Sequence, residues 1–141
     1  IGHPDGIQAG FSFRVGDPKF DNQYTFLNKD GIDSMLNEMK KYNKVFVCSN
    51  HNSIVSELKE TYGDKSYCVN AVGADVRFDD TTLKQWVCLS QCPIIYHSVA
   101  TPGVKDEITS TFGPTAGIYG GCEIIGVDNK GTIYRGANYR W

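Results

Sequence analysis

The chain has 141 residues, and none of its apolar runs approaches the roughly 18 residues of a membrane-spanning helix. It also has no basic stripe, because lysines and arginines stand singly except at Lys40-Lys41. The formal net charge is −2 and the pI is near 5.9, which argues against nucleic acid or an anionic membrane as the main partner. Neither an initiator methionine nor a signal-peptide pattern precedes Ile1. We expect a processed or excised piece of a longer protein.

Metal-binding patterns are missing as well. The five cysteines include no CxxC pair, and Cys88 and Cys92 stand four apart without a second pair of ligands nearby. Asp79-Asp80 suits a helix N-cap better than a metal pair. We therefore predict buried, unreactive thiols, no required metal ion and no other cofactor. The absence of an Asn-x-Ser/Thr sequon leans away from a secreted glycoprotein and leaves cytoplasm and Golgi lumen both open.

Apolar strand patterns alternate with helical patterns along the chain. Strands are predicted at 11–15, 44–48, 66–69, 94–96, 123–127 and 132–135. Helices are predicted at 30–42, 54–62, 81–90 and about 114–119, with Asp30 or Asp33 capping the first. This alternation predicts an α/β fold that is Rossmann-like, with a mostly parallel sheet of about five strands and helices on both faces. A C-terminal antiparallel hairpin turns at 128–131, and residues 1–141 form one domain.

Ligands of such sheets bind at the carboxyl edge, which directs attention to the loops at 14–22, 49–53 and 97–114. Arg14 lies near the end of the first apolar run, and its guanidinium offers a rigid fork of donors that matches phosphate oxygens. We interpret it as a diphosphate anchor. The alternative is an ion pair with Asp17 that only fixes a turn.

The hydroxyl-rich segment Ser110-Thr111 precedes the fourth helix, where unpaired N–H groups and the helix dipole attract anions. A simple N-cap by either hydroxyl is the competing interpretation. His97 either lies beside a nucleotide or is a satisfied buried histidine, and the same choice applies to His51. The sequence lacks a P-loop, a GxGxxG after the first strand and a GxSxG elbow.

Three stretches together resemble the donor half of the fucosyltransferase-like GT-B glycosyltransferases, the kin of the α1,2-, α1,6- and protein O-fucosyltransferases. Residues 9–17 (AGFSFRVGD) resemble a strand that ends in His-x-Arg-x-Gly-Asp. Residues 45–52 (VFVCSNHN) resemble a strand that continues as Thr-Asp-Asp-Pro. Residues 85–95 followed by 110–116 resemble a helix, a strand and a Ser-x-Phe-x-x-x-Ala segment. The similarity extends to about Val127.

The resemblance implies that Arg14 contacts the β-phosphate of a GDP-sugar, with GDP-fucose as the first choice, and stabilises the departing diphosphate without a metal. It places Ser110, Thr111 and Phe112 against the phosphates and sugar. The remaining predicted substrate-binding residues are Ser12, Asp17, Asn50, His51 and His97. It also implies a glycan or protein acceptor and an N-terminal half or partner domain.

Two other functions are compatible with these residues. Ser12 and Asn50 stand where the family has a histidine and an acid, which favours a non-catalytic nucleotide- or glycan-binding module of the same fold. An unrelated α/β enzyme, such as a hydrolase, is the third possibility.

Overall fold

Strands and helices alternate in the computed structural model, which describes residues 6–14, 28–50, 52–63, 66–67, 80–105 and 109–140. The strands are β1 (Ala9–Phe13), β2 (Val45–Ser49), β3 (Ser66–Tyr67), β4 (Ile94–Ser98), β5 (Glu123–Val127) and β6 (Ile133–Tyr134). The helices are α1 (Lys29–Met39), α2 (Asn52–Tyr62), α3 (Asp80–Ser90) and α4 (Phe112–Gly120). A short 3-10 helix at Gly136–Asn138 follows β6.

The strands form one sheet in the order β3-β2-β1-β4-β5-β6. The first five are parallel, and β6 pairs antiparallel with β5, Val127 opposite Ile133. The predicted α/β fold with a mostly parallel sheet and a terminal antiparallel hairpin is therefore confirmed. Within the described ranges, no helix is long and apolar enough to span a membrane.

Alternating side chains on the central strands divide the core between the two faces of the sheet. On β2, Val45 and Val47 point to the face that α1 and α2 cover with Met35, Met39 and Leu58. Phe46 and Cys48 point to the other face, which α3 and α4 cover with Cys88, Leu89 and Ala116. Strands that are buried on both faces lack the alternation of polar and apolar residues seen in a sheet with one solvent-exposed face.

The cap of α1 differs from the prediction. Asn28, rather than Asp30 or Asp33, occupies the N-cap, and its side-chain oxygen accepts hydrogen bonds from the N–H groups of Asp30 and Gly31. The helix therefore begins one residue earlier than predicted. Of the predicted cap Asp79-Asp80 of α3, Asp80 is the first residue of the helix and Asp79 lies outside the described residues.

The start of α4 also differs, since the helix begins at Phe112 instead of Pro114. Pro114 is the third helical residue, still within the first turn, where a missing N–H breaks no helical hydrogen bond. The helix ends at Gly120, and its C-cap Gly121 adopts φ 69°, a left-handed conformation that costs glycine little. Phe112 thus belongs to the helix that starts at the carboxyl edge of the sheet.

Candidate functional site at the carboxyl edge

The connections leave the sheet in opposite directions at the boundary between β1 and β4. From β1 the chain continues through α1 on one face to β2, whereas from β4 it continues through α4 on the other face to β5. The two loops therefore diverge at the carboxyl ends of these neighbouring strands. A crevice at such a switch point is the usual ligand site of open α/β sheets.

Arg14 directly follows β1 at this boundary and is partly exposed. Because Phe13 faces α1, the alternation of an extended strand directs the next position to the face that α3 and α4 cover. The strand ends at Phe13 rather than at Val15, so Arg14 lies at the strand end, as predicted. Asp17 lies outside the described residues, and the alternative of an Arg14–Asp17 pair stays a prediction.

The N-terminus of α4 lies on that same face. A β-carbon added to Gly113 would come within 2.6 Å of the His97 β-carbon, which shows that the first turn packs directly on β4. Thr111 is in the N-cap position, but its side chain makes no capping hydrogen bond. The interpretation of Thr111 as a simple side-chain cap is therefore wrong. The N–H groups of the first turn therefore receive no cap from the described side chains, and the positive end of the helix dipole adds to them.

The three predicted residues of this segment differ in their surroundings. Ser110 is half-buried and Thr111 is exposed. Phe112 packs against the cluster under α3 and α4. Ser110 and Thr111 thus border the helix N-terminus, while Phe112 supports it from within.

His97 is fully buried inside β4, which continues past the predicted end at Tyr96 to Ser98. Its Nδ1 lies 3.0 Å from the Ser98 carbonyl oxygen and its Nε2 2.8 Å from the Tyr139 hydroxyl. Because a carbonyl only accepts, Nδ1 donates to it and Nε2 accepts from Tyr139. Burial lowers the pKa of His97 to about 4, against the effect of the Ser98 contact. The ring is neutral near pH 7, and direct ligand binding by His97 stays a prediction.

Two further predicted residues lie at the ends of β1 and β2. Ser12 pairs in register with Cys48 and is 6% exposed, and Asn50 directly follows β2 and is 9% exposed. Burial raises the pKa of the Cys48 thiol to about 12, against a hydrogen bond with Ser12. Neither the Ser12 hydroxyl nor the Asn50 amide acts as an acid or a base near neutral pH. His51 lies outside the described residues.

Sequence reasoning missed two polar residues at the end of β4. The hydroxyl of Ser98 is buried and has no hydrogen-bond partner among the described residues. Arg140 binds the Ala100 carbonyl oxygen through Nη1, two residues beyond the strand. A predicted strand that continued through residue 98, instead of ending at Tyr96, would have placed Ser98 at the strand end. No local signal connects Arg140 to β4, forty residues earlier in the chain.

The predicted thiols behave as buried apolar groups. Cys48, Cys88 and Cys92 are free and buried, Cys122 is free and partly buried, and burial raises the thiol pKa of each. Cys68 lies outside the described residues. Among the residues that the structure does describe, no group of three His, Cys, Asp or Glu side chains is arranged to hold a metal ion. Metal independence itself stays a prediction.

Comparisons of the chain with protein-family models, curated proteins and solved structures returned no match.

Proposed function

We propose that this chain is a Rossmann-like, donor-binding domain of a fucosyltransferase-like glycosyltransferase, and that it binds a GDP-sugar at its carboxyl edge. One observation carries the proposal. The guanidinium-bearing Arg14 and the α4 N-terminus, which has no side-chain cap, border the same switch point, between β1 and β4. A diphosphate is the group that suits both, since a guanidinium pairs with phosphate oxygens and helix N–H groups attract anions.

The reaction that follows from this assignment is transfer of the sugar to a hydroxyl of a glycan or protein. The acceptor oxygen forms a bond to the anomeric carbon, and the bond from that carbon to the β-phosphate oxygen breaks. The electron pair stays on the departing diphosphate, and the proton of the acceptor hydroxyl is lost to solvent or to a diphosphate oxygen. Arg14 stabilises that growing charge by hydrogen bonds that strengthen as the bond breaks.

A first experiment tests binding. In a thermal-shift screen of GDP, UDP, dTDP and ADP, GDP should raise the melting temperature most. A ligand at 100 times its Kd adds about 2.7 kcal/mol to the free energy of unfolding. Arg14→Ala should weaken GDP binding by about 2–5 kcal/mol with little change in melting temperature. Arg14→Lys should also weaken it, since lysine keeps the charge but loses the bidentate fork.

The control variant is Asp17→Ala. If Arg14 only fixes a turn through Asp17, both variants lower the melting temperature and neither changes GDP affinity. Unchanged GDP affinity in a folded Arg14→Ala protein rules out the anchor.

The second candidate is a non-catalytic nucleotide-binding module of the same fold. The buried, non-ionising Ser12 and Asn50 favour it, because a transferase requires a base near the acceptor hydroxyl. The two candidates separate in an assay of GDP-fucose turnover. Binding of GDP without any release of fucose, to water or to an added acceptor, identifies the module.

A further inference from the structure

The last described residues of the chain return to the carboxyl end of β4. After β6 and the 3-10 helix, the Tyr139 hydroxyl donates a hydrogen bond to His97 Nε2, at 2.8 Å. The next residue, Arg140, donates from Nη1 to the Ala100 carbonyl oxygen. We call residues 136–140 the C-terminal segment. These two contacts hold its end beside the crevice.

The positive charge of Arg140 is not neutralised by the described residues. Ion pairs there involve Lys29, Lys41 and Arg135, and none of them includes Arg140. One donor of its guanidinium goes to a neutral carbonyl, and its carbon Cζ lies 5.6 Å from the centre of the Tyr134 ring. A guanidinium has five N–H donors, so Arg140 keeps hydrogen-bonding capacity for an anion.

Arg140 and Arg14 flank the same strand end. β1 and β4 are parallel neighbours, and Phe11 pairs with Tyr96 in their register. Arg14 follows Phe11 by three residues, and Ala100, whose carbonyl oxygen Arg140 binds, follows Tyr96 by four. Two cations thus follow the carboxyl ends of the neighbouring strands β1 and β4.

We propose that Arg140 is a second cationic anchor of this site, and that its ligands carry two linked anionic groups, as a diphosphate does. The nucleoside part of this ligand rests on the proposed function. The two anionic groups follow from the two arginines alone. Arg14 engages one phosphate from β1, and Arg140 engages the other from the C-terminal segment. Charge-assisted hydrogen bonds of this kind are the strong ones, and each arginine binds a phosphate oxygen directly.

The test is calorimetric titration of the wild-type chain and its Arg140→Gln variant with GDP, GMP and pyrophosphate. Arg140→Gln should weaken GDP and pyrophosphate binding about tenfold or more, which corresponds to about 1.4 kcal/mol. GMP, which has a single phosphate, should lose much less. Arg140→Lys should fall between, since it keeps the charge. Lys40→Gln, the same charge change on an exposed residue at the end of α1, should leave all three affinities unchanged.

Each outcome decides the matter. If Arg140→Gln lowers the melting temperature but leaves pyrophosphate and GDP affinity unchanged, Arg140 only fastens the C-terminal segment and the inference is overturned. If GDP does not bind the wild type but pyrophosphate binds in an Arg140-dependent way, the nucleotide assignment fails and the two-cation site stands. If GDP binds and only Arg14 matters, the proposed function stands and the second anchor is overturned.

Discussion

A buried hydroxyl without a described partner, such as that of Ser98, is unusual because it has lost water without gaining a hydrogen bond. Leaving such a group unsatisfied costs about 1–3 kcal/mol. We expect Ser98→Ala to raise the free energy of unfolding of the ligand-free chain by about 1 kcal/mol, measured by urea denaturation.

Ser66→Ala provides the matched control. Ser66 is also a buried strand serine, but its hydroxyl donates to the Gly63 carbonyl oxygen at 3.2 Å. Its removal should lower the free energy of unfolding by about 1 kcal/mol. Should Ser98→Ala destabilise the chain as Ser66→Ala does, the Ser98 hydroxyl already has a hydrogen-bond partner.

At this scale the sequence predicted Arg14 but not Ser98 or Arg140. Arg14 was found because an arginine that ends an apolar run is a local pattern. Arg140 reaches β4 only because the chain turns back after β6, and no local spacing encodes that return. Ser98 is polar at the end of an apolar strand, and only packing shows that its hydroxyl is buried.

Among the elements, α4 depends on a close approach to β4. A β-carbon at Gly113 would lie 2.6 Å from the His97 β-carbon, which is fixed to the strand backbone and cannot rotate away. We expect Gly113→Ala to lower the free energy of unfolding by about 1–3 kcal/mol in spite of the better helix propensity of alanine. Because the first turn would move, GDP affinity should fall as well. Thermal unfolding and calorimetry measure the two effects.

Ile118→Ala is the control on the same helix. Ile118 is 61% exposed, so the substitution should change the free energy of unfolding by less than about 0.5 kcal/mol. An equally mild effect of Gly113→Ala would show that α4 has room to shift and that its packing on β4 is not tight.

Helix boundaries were predicted less well than the helices themselves. The predicted start of α4 at about residue 114 leaves out Phe112 and Gly113, and Gly113 packs closely against His97. Asn28 was not predicted as the cap of α1. In the structure its side-chain oxygen accepts a hydrogen bond from the Asp30 N–H at 3.1 Å. Its own N–H binds the Asn129 side chain, a contact made 101 residues away along the chain.

Over the whole molecule, a cluster around Glu38 connects α1 to the end of β6. The Glu38 carboxylate is 4% exposed and accepts hydrogen bonds from Tyr96 and Arg135 and an ion pair from Lys41. Burial alone would raise the pKa of Glu38, but the bonds from Lys41, Arg135 and Tyr96 outweigh it and hold that pKa below its usual value. The stability from this cluster is therefore present above the unfolded pKa and is lost as pH falls through the folded one.

We expect Arg135→Ala to lower the free energy of unfolding at pH 7 by about 1–2 kcal/mol. That is less than the loss of a fully buried partner, because Arg135 is half exposed. The loss should shrink towards acidic pH as the carboxylate of Glu38 protonates. Urea denaturation at several pH values measures it. Lys29→Ala, which breaks the exposed pair with Asp33, should leave the free energy of unfolding almost unchanged at any pH. A loss in Arg135→Ala that does not depend on pH would contradict the ionic role of Arg135.

The sequence by itself determined the α/β class, the mostly parallel sheet, the terminal hairpin and the position of Arg14 at a strand end. These follow from period-2 and period-3.6 patterns, which are local because each residue's face depends only on its neighbours along the chain. Tertiary structure decided the strand order, the neutral buried state of His97, the close fit of Gly113 and the return of Arg140 to β4. Those features arise from pairing and burial between residues far apart in the chain, and local patterning carries no information about such contacts.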